Sequence, residues 1–187
     1  MQRKIKVGVD FDGVLAYNPF RVGRAIVAWV KTKVLRIKTL HFFVPQNASE
    51  RIIWAILHES SVFPAKGTAK LKALAKSNTY EFYLVTARFG FLAPQVKRWL
   101  ARWRLSGVFK ALEINHAHQQ PHVFKTQIVR KLELDYYIED NWDIVQYLTG
   151  KTKTKIYWIY NVLDRGKVYQ DKFPYLEKAL LKIQKKS

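Results

Sequence analysis

At 187 residues, 49% hydrophobic and 14% aromatic, the chain can bury one sizeable core and a small accessory module, which excludes a disordered chain and a pair of full domains. It has no cysteine, so disulfides, thiolate nucleophiles and cysteine-held zinc are excluded, and a metal would have to sit on oxygen or imidazole. The 33 Lys and Arg against 14 Asp and Glu give a net charge of +19; this points to a nucleic acid, a phosphorylated substrate or an anionic membrane surface, although scattered lysines serve solubility equally well.

Ile5, Val7 and Val9 alternate with Lys6 and Gly8, the pattern of a strand, and the run ends in Asp10-Phe11-Asp12-Gly13. Asp and Gly also make ordinary acidic turns. Two carboxylates at the C-terminal edge of a strand nevertheless repel each other and invite a divalent cation, and in open α/β sheets that edge is where ligands bind. Gly13 lets the chain turn tightly past such an ion. Asn18-Pro19 then reads as a helix start, followed by Val22, Ile26, Val27, Val30, Val34 and Ile37 at helical spacing among Arg21, Arg24, Lys31, Lys33, Arg36 and Lys38. A basic amphipathic helix of this kind, with Phe20 and Trp29, suits either a cap packed on a second helix or a membrane surface. Asn47 and Glu50 have capping-box spacing for that second helix, which carries Ile52, Ile53, Ile56 and Leu57. Residues 17–64 are thus expected to form a helical cap insertion over the acidic site, in a core made of 1–16 and 65–187.

The core resumes with a helix over Gly67 to Lys76 and a strand over Glu81 to Val85. That strand ends in Thr86-Ala87-Arg88, which offers hydroxyl and guanidinium donors for phosphate oxygens or is simply a strand end with a solvated charge. Pro94 leads into a helix whose Val96, Trp99, Leu100 and Trp103 face inward. After a strand over Ala111 to Asn115, a polar loop carries His116, His118 and His122. Without a Cys or the spacing of a helical pair, these read as a solvated loop near the site mouth, with His116 nearest to substrate. Lys125 opens a helix with Ile128, Val129 and Leu132, which runs into the strand Tyr136-Tyr137-Ile138 and a second acidic cluster, Glu139-Asp140-Asn141-Trp142-Asp143. One acid of this cluster would complete a metal site begun by Asp10, and Lys125 would neutralise a nucleophile and a phosphate. A strand over Lys155 to Tyr160 and a basic helix with Tyr175, Leu176, Leu180 and Ile183 follow. The opening Met1-Gln2-Arg3-Lys4 leaves no room for a secretory leader and no apolar run is long enough to span a bilayer, so the expected location is cytoplasmic.

Asp10-Phe11-Asp12-Gly13-Val14, Thr86 after a hydrophobic strand, Lys125 ahead of a helix and Glu139-Asp140 closing a strand resemble, in order, the four motifs of the haloacid dehalogenase-like (HAD) phosphohydrolase superfamily. The form Asp-Phe-Asp-Gly-Val-Leu-Ala with Thr-Ala-Arg and Ile-Glu-Asp-Asn looks most like the branch that contains the 5'(3')-deoxyribonucleotidases, whose cap also follows the first strand. The resemblance implies an α/β fold, a Rossmann-like parallel sheet flanked by helices, and a two-step phosphoryl transfer. Asp10 would be the nucleophile and Asp12 the general acid and base. Mg2+ would sit on the Asp10 and Asp140 carboxylates and the Asp12 backbone carbonyl, with Asp143 joining through a water and Glu139, where the commonest motif has Asp, behind them. Thr86 and Lys125 would hold phosphate oxygens, and Gly13, Ala87, Arg88, Tyr17 and Phe20 would contact substrate. The implied activity is a magnesium-dependent phosphatase acting on a small phosphorylated metabolite, foremost a nucleoside monophosphate. The other reading is a nucleic-acid-binding protein or polynucleotide-end phosphatase that uses the basic surface.

Overall fold

The structure, a computed structural model, describes residues 3–17, 43–45, 47–59 and 61–186. In chain order the strands are β1 (Ile5–Val9), β2 (Ala16–Tyr17), β3 (Phe63–Pro64), β4 (Tyr80–Phe89), β5 (Ala111–Asn115), β6 (Tyr136–Glu139), β7 (Lys155–Ile159) and β8 (Lys172–Phe173). The helices are α1 (Ala48–His58), α2 (Thr68–Ala75), α3 (Ala93–Arg102), α4 (Pro121–Lys131), α5 (Trp142–Leu148) and α6 (Leu176–Gln184). Val7 and Val9 are fully buried because β1 is central: it pairs in parallel with β4 on one side and β6 on the other. The full order is β5-β4-β1-β6-β7-β8, parallel throughout, and helices cover both faces as such a sheet requires. On one face Leu71 and Leu74 of α2, Val96 and Leu100 of α3 and Leu180 and Ile183 of α6 pack on Val7, Val9 and Leu84. On the other, Phe124, Ile128 and Val129 of α4 and Ile144, Val145 and Leu148 of α5 pack on Val85, Tyr137 and Trp158.

From β1 the chain builds outward through β4 to β5, then returns across the sheet to place β6 on the other side of β1. The ends of β1 and β6 therefore flank a topological switch point, where an α/β sheet opens a crevice at its carboxyl edge. The acidic ends of both strands lie there.

Several local expectations shift. Thr86-Ala87-Arg88 lies inside β4 rather than beyond it, because pairing with β5 continues through Thr86↔Ile114 and resumes, after an irregularity, at Phe89↔Asn115. Helix α4 starts at Pro121, whose fixed φ suits the first helical position, so Lys125 stands in the second turn and His122 is helical rather than part of the loop. Strand β8 is too short to register as a period in the sequence. The capping box of α1 forms as expected: Asn47 Oδ1 accepts the Glu50 N–H at 2.9 Å and Glu50 Oε2 accepts the Asn47 N–H at 3.5 Å. Strands β2 and β3 form a short antiparallel ribbon, Ala16 opposite Pro64 and Tyr17 opposite Phe63. The amphipathic stretch 20–38, with Asn18, Pro19 and the substrate candidate Phe20, lies outside the described residues.

Candidate active site

Each reactive side chain is delivered by the end of a parallel strand or the helix behind it. Asp10 follows β1 directly, its N–H bonded to the Ile138 carbonyl of β6 at 3.0 Å, and is 4% exposed. Phe11 then swings into the core, edge-on to Trp99 at 5.0 Å, while a tight turn brings the Gly13 N–H to the Ala16 carbonyl at 2.8 Å and returns Asp12 to the site. Gly13 has φ +83°, and a Cβ at this position would land on the Asp140 carboxylate. The sequence thus needs glycine here twice, for the left-handed backbone and for room beside the acid. Gly13→Ala is expected to cost about 1–2 kcal/mol from the backbone alone. It should also abolish any stabilisation by added Mg2+ in a thermal melt, because Asp140 must move.

Lys125 reaches from α4 to both acidic strand ends, with Nζ 3.0 Å from Asp10 Oδ1 and 2.6 Å from Glu139 Oε2. Glu139 is fully buried and saturated with donors. Its Oε2 also accepts the Tyr137 hydroxyl at 3.0 Å, and its Oε1 accepts the N–H groups of Asp140 and Asn141 at 3.2 and 3.0 Å. The longer Glu at this position therefore turns back under its own strand end, where it anchors Lys125 and shapes the turn that presents Asp140. Tyr137 reaches it because residues two apart in a strand share a face. Burial, followed by the charges of Glu139 and Asp10, keeps the Tyr137 phenol protonated well above its ordinary range. The carbonyl of Asp140 is held from below by the indole N–H of the fully buried Trp158 at 3.0 Å.

Among the described residues, the buried side chains of formally charged type are the carboxylates of Asp10, Asp12, Glu139 and Asp140 and the cations of Arg88 and Lys125. The excess of negative charge is felt at Asp10: burial, then Glu139, against the pull of Lys125, and further Asp140 and Asp12 push its carboxyl well above the usual range. Lys125 loses from burial but gains more from Asp10 and Glu139, so its ammonium is held charged more firmly than an ordinary lysine. Ligand atoms of Asp10, Glu139 and Asp140 lie within 4.8 Å of one another. With Glu139 committed to its four donors, Asp10 and Asp140 are the carboxylates this pocket offers to a hard divalent cation, whose charge would offset the surplus.

Arg88 is buried rather than solvated. Its guanidinium closes as a fork on Asp12, Nε to Oδ2 at 2.8 Å and Nη2 to Oδ1 at 2.7 Å, and stacks over the Phe11 ring. Thr86 is 1% exposed and its Oγ1 accepts the Arg88 N–H at 3.2 Å. Asp143 does not join the carboxylate cluster. It lies exposed in the first turn of α5, its N–H on the Asn141 side chain that caps the helix. Ala87 is half-buried against the α4 face, and Tyr17 is exposed on the β2–β3 ribbon. His116 and His118 occupy the turn after β5, which Asn115 clamps through two bonds to the Gln119 backbone, and His118 stacks on Phe89 at 5.3 Å. Ser61, Tyr137 and Trp158 were not singled out by the sequence. Only Tyr137 carried a signal, its two-residue spacing from Glu139.

No family model matches the chain, and no curated protein matches it by sequence. Solved structures do match in fold. A HAD-superfamily hydrolase from Ehrlichia chaffeensis aligns with a TM-score of 0.55 at 12% identity, over 99% of this chain and 98% of that one. CbbY from Rhodobacter sphaeroides, in complex with phosphate, aligns with a TM-score of 0.61 at 13% identity, over 94% and 96%. A HAD-superfamily hydrolase of subfamily IA from Geobacter sulfurreducens aligns with a TM-score of 0.56 at 10% identity, over 97% and 100%. The parallel sheet, its strand order and the acidic carboxyl edge of β1 and β6 thus belong to a chain with the fold of the HAD-superfamily hydrolases.

Proposed function

We propose that this chain is a magnesium-dependent phosphomonoester hydrolase of small phosphorylated metabolites. The observation that carries the reading is the buried Asp10 carboxylate at the end of the central strand, 3.0 Å from Lys125 and grouped with Asp140, with Asp12 two residues on. Asp10 would attack phosphorus, and the bond from phosphorus to the leaving oxygen would break as that oxygen takes a proton from the Asp12 carboxyl. In the second half Asp12, now a carboxylate, would take a proton from water; the water oxygen would attack phosphorus and free Asp10 and inorganic phosphate. Lys125 and the Thr86 hydroxyl would hold the non-bridging oxygens. Mg2+, held by Asp10, Asp140 and the Asp12 carbonyl, would supply charge neutralisation to the phosphoryl group.

Residues 17–64 are taken as the cap. The β2–β3 ribbon joins its two ends, and α1 turns Ile52, Ile53 and Ile56 outward, an apolar face that suits the stripe of the 20–38 stretch. A cap at the mouth of a crevice favours small substrates. Among the neighbours whose ligands are named, CbbY carries phosphate in one structure and xylulose-1,5-bisphosphate in another. Within the small-metabolite class, the Asp-Phe-Asp-Gly-Val-Leu-Ala form of the first motif favours nucleoside monophosphates ahead of sugar phosphates. Among the described residues no helix is long and apolar enough to cross a membrane.

The test is phosphate release from nucleoside monophosphates, sugar phosphates and end-phosphorylated oligonucleotides, in Mg2+ and in EDTA. Turnover of one small-molecule class that EDTA removes is the expected result. Turnover of oligonucleotides alone, or release that EDTA leaves unchanged, would overturn the reading.

A further inference from the structure

The fork that Arg88 closes on Asp12 is one half of a larger clasp. The Nη2 that reaches Asp12 Oδ1 also donates to the His58 carbonyl, at the last residue of α1, at 2.9 Å. Asp12 Oδ1 accepts in addition the Ser61 hydroxyl at 2.7 Å, from the segment that returns from α1 to the core. Arg88, Asp12 and Ser61 are all buried, the first with a side chain only 3% exposed. A bidentate guanidinium fixes the direction in which a carboxylate points. One guanidinium thus grips a core acid and the end of a helix in the cap insertion together.

We propose that Arg88 and Ser61 are positioning residues for Asp12, and that the seating of the α1 end on Arg88 sets whether this acid is aimed for its part in hydrolysis. The inference rests on the phosphatase reading and concerns its second half. When Asp12 has given its proton to the leaving oxygen it is a carboxylate, and the clasp grips both of its oxygens. In that form it must take a proton from water as the water oxygen bonds to phosphorus and the phosphorus–Asp10 bond breaks. A loosened clasp slows this step more than the first whenever the leaving group departs without needing a proton. Arg88 in this role touches no substrate. It acts through Asp12, and through it the cap reports to the core.

The experiment is rapid-mixing kinetics with p-nitrophenyl phosphate and Mg2+, comparing the rate of the first equivalent of nitrophenol with the steady-state rate. In Arg88→Ala the ratio of the two is expected to rise on the order of 10²-fold as phosphoenzyme accumulates, the scale of lost general-base help. Arg88→Lys should recover part of it, because the ammonium keeps the charge but lacks the planar fork that meets both carboxylate oxygens side by side. Ser61→Ala should move the ratio the same way by a smaller factor; it removes a single hydroxyl and carries the test if Arg88→Ala does not fold. Burst and steady state falling in parallel would overturn the proposal, since Arg88 would then serve phosphate binding or the fold. A wild-type enzyme silent on the ester in Mg2+ would overturn the phosphatase reading, whereas an active wild type with an unchanged ratio in all three variants would overturn the clasp alone.

Discussion

Asp10→Asn is expected to release phosphate from no substrate that the wild-type chain turns over, a loss on the order of 10⁴-fold or more, and yet to melt at a higher temperature than wild type in EDTA at neutral pH. The two effects share one cause. Asp10 is buried among Glu139, Asp140 and Asp12, and Lys125 only partly compensates, so the folded state resists ionisation of this carboxyl. The unfolded chain ionises it near pH 3.9. Below that value the group is neutral in both states and costs nothing; as pH rises toward the elevated folded value the unfolded state is increasingly favoured, and above it the penalty is constant. The amide keeps an oxygen for Lys125 and removes the charge. In EDTA its advantage should be absent near pH 4 and reach roughly 2–4 °C at pH 7, the shift that about 1 kcal/mol produces in a domain of this size. If the proposed metal site is correct, Mg2+ should raise the wild-type melting temperature more than that of Asp10→Asn, since it would bind the folded state alone and would lose a ligand in the variant. A variant equally destabilised at pH 4 and pH 7 would show that Asp10 is not strained by its neighbours.

The acids at the edge of the sheet were legible in the sequence because each follows an apolar run too short for a helix. Asp10 after Ile5–Val9 and Glu139-Asp140 after Tyr136-Tyr137-Ile138 announce strands that stop at a polar end, and a parallel sheet brings such ends together. Capping chemistry was equally local, as Asn47 with Glu50 demonstrates. What the sequence hid was decided across the fold. Thr86-Ala87-Arg88 reads as a strand end because Thr86 and Arg88 are polar; it is the partner strand β5 that keeps it paired, and the Asp12 carboxylate, 76 residues away in the chain, that with the His58 carbonyl and the Phe11 ring draws Arg88 inward. Ser61 sits in a stretch with no pattern of its own and is defined by the bond it gives to Asp12.

The acidic run 139–143 holds both outcomes. Its strand end was readable, but the division of labour within it was not. One extra methylene lets Glu139 curl back onto the Asp140 and Asn141 N–H groups, which a shorter acid would meet differently, and Asn141 then starts α5 and turns Asp143 toward solvent. The glycine at 13 was legible as a turn, while its second reason, the Asp140 carboxylate beside its α-carbon, needed the pairing of β1 with β6.

Lys125→Met is expected to be the most damaging single change in the core of the site. The lysine side chain is 4% exposed and bridges Asp10 at 3.0 Å and Glu139 at 2.6 Å, so the apolar replacement leaves two buried carboxylates without their shared cation. Breaking a buried pair from one side costs about 3–5 kcal/mol, which in a chain of this size lowers the melting temperature by roughly 10 °C. The double variant Lys125→Met/Glu139→Gln separates the causes. The glutamine side chain would keep the length and the Tyr137 bond without the charge, so about half of the lost stability should return, as it does when both members of a buried pair are made neutral. Phosphate release should not return, because the cation that faces Asp10, and in the proposed function the phosphoryl oxygens, is still missing. A double variant no more stable than Lys125→Met would mean that Glu139 is held by Tyr137 and the backbone N–H groups alone, and that the lysine is placed for chemistry rather than for the fold.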